Sequence, residues 1–130
     1  MFKNTPAFSG FSVKNLDEAK EFYGKTLGLE FSQDDMGLTI KLSGGGSIFV
    51  YSKDDHEPAT YTILNFVVDD VDKTVDELTV KGVSFEQYDF GNGMKTDDKG
   101  IMRGLKAGHG PDIAWFKDPA GNILSVLQEK

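Results

Sequence analysis

The two histidines are the side chains in this sequence best suited to proton transfer near neutral pH. His56 lies in the polar stretch KDDHEP, and His109 lies in the short stretch GHGP. Both contexts are typical of loops, so we expect each imidazole to be exposed to solvent without a partner. The alternative is that one of them lines the mouth of a pocket as an acid or base.

Other reactive groups fit poorly with known catalytic patterns. The chain has no cysteine, which excludes thiolate nucleophiles, disulfides and zinc–cysteine sites. Its glycine triplet, residues 44–46, is followed neither by Lys-Ser/Thr nor by a helical pattern, which indicates a hairpin turn rather than a phosphate-binding loop. Pairs of aspartates are read as helix caps and solvated turns, and they occur at residues 34–35, 54–55, 69–70 and 97–98.

Charge and composition limit the kinds of partner that this protein can have. The 130 residues carry 14 Lys and Arg against 21 Asp and Glu, giving a net charge of −7 and a sequence pI of about 4.7. No basic cluster is present to neutralise phosphates, so we expect neither nucleic acid nor an anionic membrane surface as a partner. No apolar signal core or run of roughly 18 apolar residues is visible, which predicts a soluble, cytoplasmic protein.

A repeated pattern organises the chain into one predicted domain, residues 1–130, made of two repeats. The first repeat, about residues 7–53, begins with an alternating strand and continues with an apolar stripe at helical spacing over residues 16–27. Asn15 has the type and position of a helix cap, and Gly28 has those of a helix end. Three short strand-like stretches then close the repeat.

The second repeat, about residues 61–128, follows the same order. A strand-like run over residues 63–68 leads to Asp70 as the cap of a helix over 71–81, and Gly82 ends that helix. The matching segments at the start of the two repeats are 55 residues apart and those at the end are 75 residues apart, which leaves about 20 extra residues in the second repeat. The insertion, near residues 87–110, is glycine-rich and predicts a long mobile excursion that folds over the site as a lid.

The fold class that this order predicts is α+β, with two βαβββ units and one sheet face left free of helices. Alternation along the strands places Ser12, Asn65 and Ser125 on that free face among apolar residues. The same parity assigns Val50 to the free face, and Phe49 and Tyr51 to the helix side. A mostly apolar face with a few polar groups is typical of a ligand pocket, but it equally suits a second hydrophobic core.

The repeated unit, the junction VDDV at residues 68–71 and the closing stretch FKDPAGN at residues 116–122 resemble the vicinal oxygen chelate superfamily. This superfamily joins glyoxalase I, bleomycin-resistance proteins and extradiol dioxygenases, and the resemblance covers nearly the whole chain. It implies the glyoxalase/bleomycin-resistance fold, a curled, barrel-like mixed sheet around a cavity. It also implies that units pair within one chain or across subunits, and we expect a homodimer.

Enzymes of this superfamily place metal ligands, typically His, Glu or Gln, at equivalent points of the two units. Carried onto this sequence by the resemblance, those positions are Phe8, Val50, Ile63 and Ser125. None of the four supplies an imidazole or a carboxylate, so we expect no metal and no other cofactor.

Two functions remain open at this stage. The first is a metal-independent protein that binds a small apolar or planar molecule, similar to the bleomycin-resistance branch. The alternative is a lyase, isomerase or dioxygenase with non-standard catalytic residues, drawn from His56, Asp98, Arg103 and His109. The predicted ligand contacts are Phe8, Ser12, Val50, Ile63, Asn65, Met102, Arg103, Trp115 and Ser125.

Overall fold

The computed structural model describes residues 1–130 and contains two compact units, Met1–Pro58 and Ala59–Lys130. Each unit holds one four-stranded mixed sheet, which agrees with the predicted α+β class and the βαβββ order. That the two units act as one domain stays a prediction. No helix is both long enough and apolar enough to span a membrane.

The first unit is built from four strands and one helix. The strands are β1 (Ser9–Val13), β2 (Phe31–Asp34), β3 (Gly37–Lys41) and β4 (Ser47–Ser52), in the sheet order β1-β4-β3-β2. Helix α1 (Leu16–Lys20) continues as a π-helical segment, Glu21–Thr26. Asn15 caps α1 as predicted, because its side chain accepts a hydrogen bond from the backbone N–H of Glu18 at 3.0 Å.

The second unit repeats this order with an insertion. Its strands are β5 (Thr62–Val67), β6 (Ile101–Arg103), β7 (Asp112–Lys117) and β8 (Ile123–Gln128), in the sheet order β5-β8-β7-β6. Its helices are α2 (Val71–Val80) and the short α3 (Gly104–Ala107). Asp70 caps α2 through a hydrogen bond from the backbone N–H of Lys73 at 3.1 Å, as predicted.

The predicted insertion contains a hairpin, a strand and a short helix. Residues 88–96 form a hairpin, in which Asp89 pairs with Lys95 and the backbone N–H of Phe90 bonds the carbonyl of Met94. Thr96 is buried at the base of the hairpin, where its hydroxyl accepts a hydrogen bond from the N–H of Tyr88. Strand β6 and helix α3 occupy the rest of the insertion.

In each unit one sheet face packs against the unit's helix, and we call the other face the open face. Phe11 identifies the helix side in the first unit, because its ring lies 5.7 Å from that of Tyr23. Arg103 identifies it in the second unit, because it bonds Asp72 of α2. The core of each unit lies on the helix side.

The pairing of β1 with β4 corrects the predicted parity of β4. These strands are parallel, and Phe11 lies opposite Val50 while Ser12 lies opposite Tyr51. Opposed residues share a face, so Val50 faces the helix and is fully buried, whereas Tyr51 lies on the open face with 37% exposure. The prediction that Val50 faces the cavity and Tyr51 the helix is therefore wrong by one residue.

In the second unit the register agrees with the predicted parity. Asn65 lies opposite Ser125 and Phe66 opposite Val126, so the polar pair is on the open face and the apolar pair on the helix side. A bulge interrupts β5 between Thr62 and Leu64, and Ile63 is the extra residue that has no partner on β8.

Candidate functional site

The open face of the second unit brings together four of the nine predicted ligand contacts. The register of β7 with β8 places Trp115 opposite Ser125, and that of β6 with β7 places Met102 opposite Ile113. Asn65 lies on the other side of Ser125. Four predicted residues, Asn65, Met102, Trp115 and Ser125, therefore share this face.

Two separate side-chain hydrogen bonds lie on this face. The hydroxyl of Ser125, which is fully buried, donates to Oδ1 of Asn65 at 2.5 Å, while the Asn65 residue itself is exposed. The indole Nε1 of Trp115 donates to Oγ1 of Thr62 at 3.1 Å. Because these bonds fix the orientation of both side chains, the face presents an oriented amide beside an oriented indole ring.

An aromatic cluster covers the Trp115 end of the face. The ring centroid of Trp115 lies 5.4 Å from that of Tyr88 and 5.8 Å from that of Phe90, and both pairs meet edge to face. The ring centroids of Tyr88 and Phe90 are 5.8 Å apart. Burial and, secondarily, the nearby Glu86 carboxylate raise the pKa of the Tyr88 phenol, so it stays neutral. Sequence reasoning missed both hairpin aromatics, although their spacing of two residues before a Gly-Asn-Gly turn is typical of one hairpin face.

Arg103 does not join the open face. It follows Met102 on β6 and so points to the helix side, where its guanidinium contacts Asp72 at 2.7 and 2.8 Å and Asp97 at 3.1 Å. Its predicted role as a ligand contact is inconsistent with this position, because neighbouring residues of a strand point to opposite faces. Lys99 adds a contact to Asp72 at 3.1 Å.

The Arg103 network predicts a dependence of stability on pH. The hydrogen bonds from Arg103, opposed in part by desolvation, hold the pKa of Asp72 well below its ordinary value. A carboxyl whose pKa is lowered by folding stabilises the protein above its unfolded pKa, near 4, and loses that contribution as the pH falls.

We expect Arg103→Met to lower the free energy of unfolding by about 1 kcal/mol at pH 7, since the groups are partly exposed, and by less near pH 2. Urea denaturation at both pH values measures this. An equal loss at both would show that packing, and not the charge pair, is responsible.

Phe8, His56 and His109 lie in loops outside the named strands and helices. Phe8 precedes β1 and is 70% exposed. His109 is exposed after α3, as expected. His56 is half-buried instead of exposed, because its Nδ1 lies 2.6 Å from Oγ of Ser12. Two clefts of about 410 and about 400 Å³ open on the second unit. None of the predicted ligand contacts lines either cleft, whereas Asp98, one of the candidate catalytic residues, lines the second.

The family model of the Glyoxalase/Bleomycin resistance protein/Dioxygenase superfamily matches residues 8–126. The chain belongs to this superfamily. A search of curated proteins found no match.

Solved structures of this superfamily share the fold. A putative glyoxalase family protein from Bacillus anthracis is 19% identical with a TM-score of 0.68, and all of both chains is covered. An antibiotic-binding protein from Streptomyces sp. CB03234 is 24% identical with a TM-score of 0.66, covering 98% of each chain. A fosfomycin resistance protein from Listeria monocytogenes is 14% identical with a TM-score of 0.67, covering 98% of this chain and 94% of its own.

Proposed function

We propose that this protein binds a small planar aromatic molecule on the open face of its second unit, without a metal ion. The observation that carries the proposal is the arrangement of Trp115, Tyr88 and Phe90 beside the Asn65 amide. Aromatic rings supply a large contact area for a flat ligand, and one oriented amide fixes its direction. The antibiotic-binding relative with the same fold supports a binding role.

Metal independence rests on the donor chemistry of the residues. Of the positions that correspond to the ligands of metal-dependent relatives, Phe8, Val50 and Ile63 are hydrocarbon, and Val50 is buried on the helix side. The fourth, Ser125, donates its hydroxyl proton to Asn65. With the corrected parity, Phe49 and Tyr51 take the place of Val50 on the open face, and they bring no imidazole or carboxylate. These residues do not fit a divalent ion.

The charge of the chain favours a cationic ligand. The net charge of −7 attracts cations at long range, and the faces of aromatic rings attract them at contact. We therefore propose a planar aromatic cation as the ligand class. We also propose that the protein is cytoplasmic. Phe8, Ser12 and Ile63 stay predicted ligand contacts.

Titration with proflavine, a planar aromatic cation, tests the proposal through the fluorescence of Trp115, which is the sole tryptophan. We expect a saturable change, and we expect Asn65→Leu to weaken binding roughly tenfold by removing the amide. The matched control is Asn92→Gly, at a hairpin tip where the backbone φ of +55° suits glycine. Acridine, uncharged at pH 7.5, should bind more weakly than proflavine. Saturable binding that Asn65→Leu leaves unchanged would place the ligand elsewhere.

We propose that a second copy of the chain completes the assembly as a homodimer. Large apolar side chains are exposed, among them Tyr61 at 70%, Val67 at 63% and Phe90 at 59%. A second copy that covers these side chains would remove their apolar surface from water. Light scattering at micromolar concentration measures the assembly, and a monomer there would contradict the proposal.

A further inference from the structure

The open face of the first unit carries a hydroxyl and an imidazole in direct contact. Ser12, near the end of β1, lies opposite Tyr51 of β4, and its Oγ is 2.6 Å from Nδ1 of His56. A serine hydroxyl within hydrogen-bond reach of a histidine nitrogen is the arrangement that activates serine as a nucleophile. We propose that Ser12 and His56 form a nucleophile and general base for acyl transfer from aryl esters.

The backbone holds this pair in place. After β4 the chain turns back over the end of β1, where the N–H of Lys53 bonds the carbonyl of Val13 at 3.0 Å. The N–H of His56 bonds the carbonyl of Lys53 at 3.0 Å, and Nζ of Lys14 bonds the carbonyl of Asp54 at 2.5 Å. Two main-chain bonds and one bond from the Lys14 side chain therefore hold the turn that carries the imidazole to Ser12. Preorganised groups of this kind lose little entropy on reaction.

The surroundings of the pair define the substrate class. Tyr51 is directly across from Ser12, and its ring is stacked nearly parallel on Phe49, with centroids 5.8 Å apart and planes 18° apart. An aryl group lies favourably against such rings. An aryl ester also needs less catalytic assistance than an alkyl ester, because its leaving group departs as a stabilised phenolate.

The reaction balances without a cofactor. Oγ of Ser12 bonds the ester carbonyl carbon while its proton passes to Nδ1 of His56, which requires the tautomer protonated on Nε2. The bond from that carbon to the aryl oxygen breaks, and the phenolate leaves with the electron pair and takes the proton from His56. Water then attacks the acyl group with His56 as base, releasing the carboxylic acid and restoring Ser12.

The test uses 4-nitrophenyl acetate with the full chain. Nitrophenolate release is followed by absorbance, and the acetylated residue is identified by peptide mass spectrometry. We expect acetyl-Ser12, and we expect His56→Gln to slow its formation at least about tenfold, the low end of what a general base contributes. The matched controls His109→Gln, an exposed imidazole, and Ser9→Ala, a hydroxyl on the same strand, should leave the rate unchanged.

Two outcomes would overturn the proposal. One is the absence of acetyl-Ser12 while lysines become acetylated, and the other is acetylation of Ser12 at the same rate in His56→Gln. The second comparison does not require a Ser12 variant, and circular dichroism of His56→Gln shows whether that variant is folded. Asn65→Leu distinguishes this proposal from ligand binding on the second unit, since it should weaken proflavine binding and leave the acetylation of Ser12 unchanged.

Discussion

Val50→Asp should prevent the first unit from folding, whereas Tyr51→Asp should leave it folded. Val50 is completely buried, with an exposure of 0%. It lies between Phe11 and Leu38 on the helix side of the sheet. A carboxylate there is buried without a counter-charge, which costs several kcal/mol, comparable to the whole stability of a small domain. Tyr51 lies on the open face with 37% exposure, where a carboxylate stays hydrated.

Circular dichroism and urea denaturation of the two variants measure this contrast. Equal stability of Val50→Asp and Tyr51→Asp would mean that the register of β4 is different from the one described. If Val50→Asp were more stable than Tyr51→Asp, the face assignment predicted from alternation, with Val50 on the open face and Tyr51 on the helix side, would be correct.

Removing the indole should have the largest effect on ligand binding. Trp115→Ala deletes the ring that contacts both Tyr88 and Phe90 and bonds Thr62. Stacking of an aromatic ring on a flat ligand contributes about 1–3 kcal/mol, so we expect proflavine to bind between about 5 and 150 times more weakly.

Isothermal titration calorimetry is the measurement, because the variant has lost its fluorophore. Trp115→Phe serves as the comparison, since it keeps a ring and should lose less affinity than the alanine variant. Phe2→Ala removes an exposed ring in the first unit and should leave affinity unchanged. Full affinity in Trp115→Ala would exclude the aromatic cluster from the site.

Local signals predicted the helices well. Asn15 and Asp70 are short polar residues ahead of apolar stripes, and both accept the backbone bond expected of a cap. Gly28 and Gly82 adopt φ of +72° and +95°, which only glycine adopts without strain, so the helix ends were readable. These features depend on neighbours within a few residues of the chain.

Strand faces were readable only where the alternation was clear. In β5 the polar Asn65 stands between Leu64 and Phe66, so its open-face position follows directly. In β4 the run from Ile48 to Tyr51 is apolar at every position, and a shift of one residue exchanges the faces without changing the pattern.

Contacts between distant segments were beyond the sequence signal. The hydrogen bond of His56 with Ser12 joins positions 44 residues apart, and the salt bridges of Arg103 join β6 to α2 across 31 residues. Neither pair stands out by residue type, because histidine in a polar loop and arginine beside glycine are both common on surfaces. Only the folded strand order brings them together.

The central claim, metal-independent binding, is tested most directly by titrating proflavine into protein dialysed against a chelator, with metal content measured on the same sample. We predict saturable Trp115 quenching with less than about one-tenth of a metal ion per chain, unchanged when Ni, Zn, Fe or Mn is added back. Stoichiometric metal that survives dialysis, or binding that appears only after one of these ions is restored, would contradict the account.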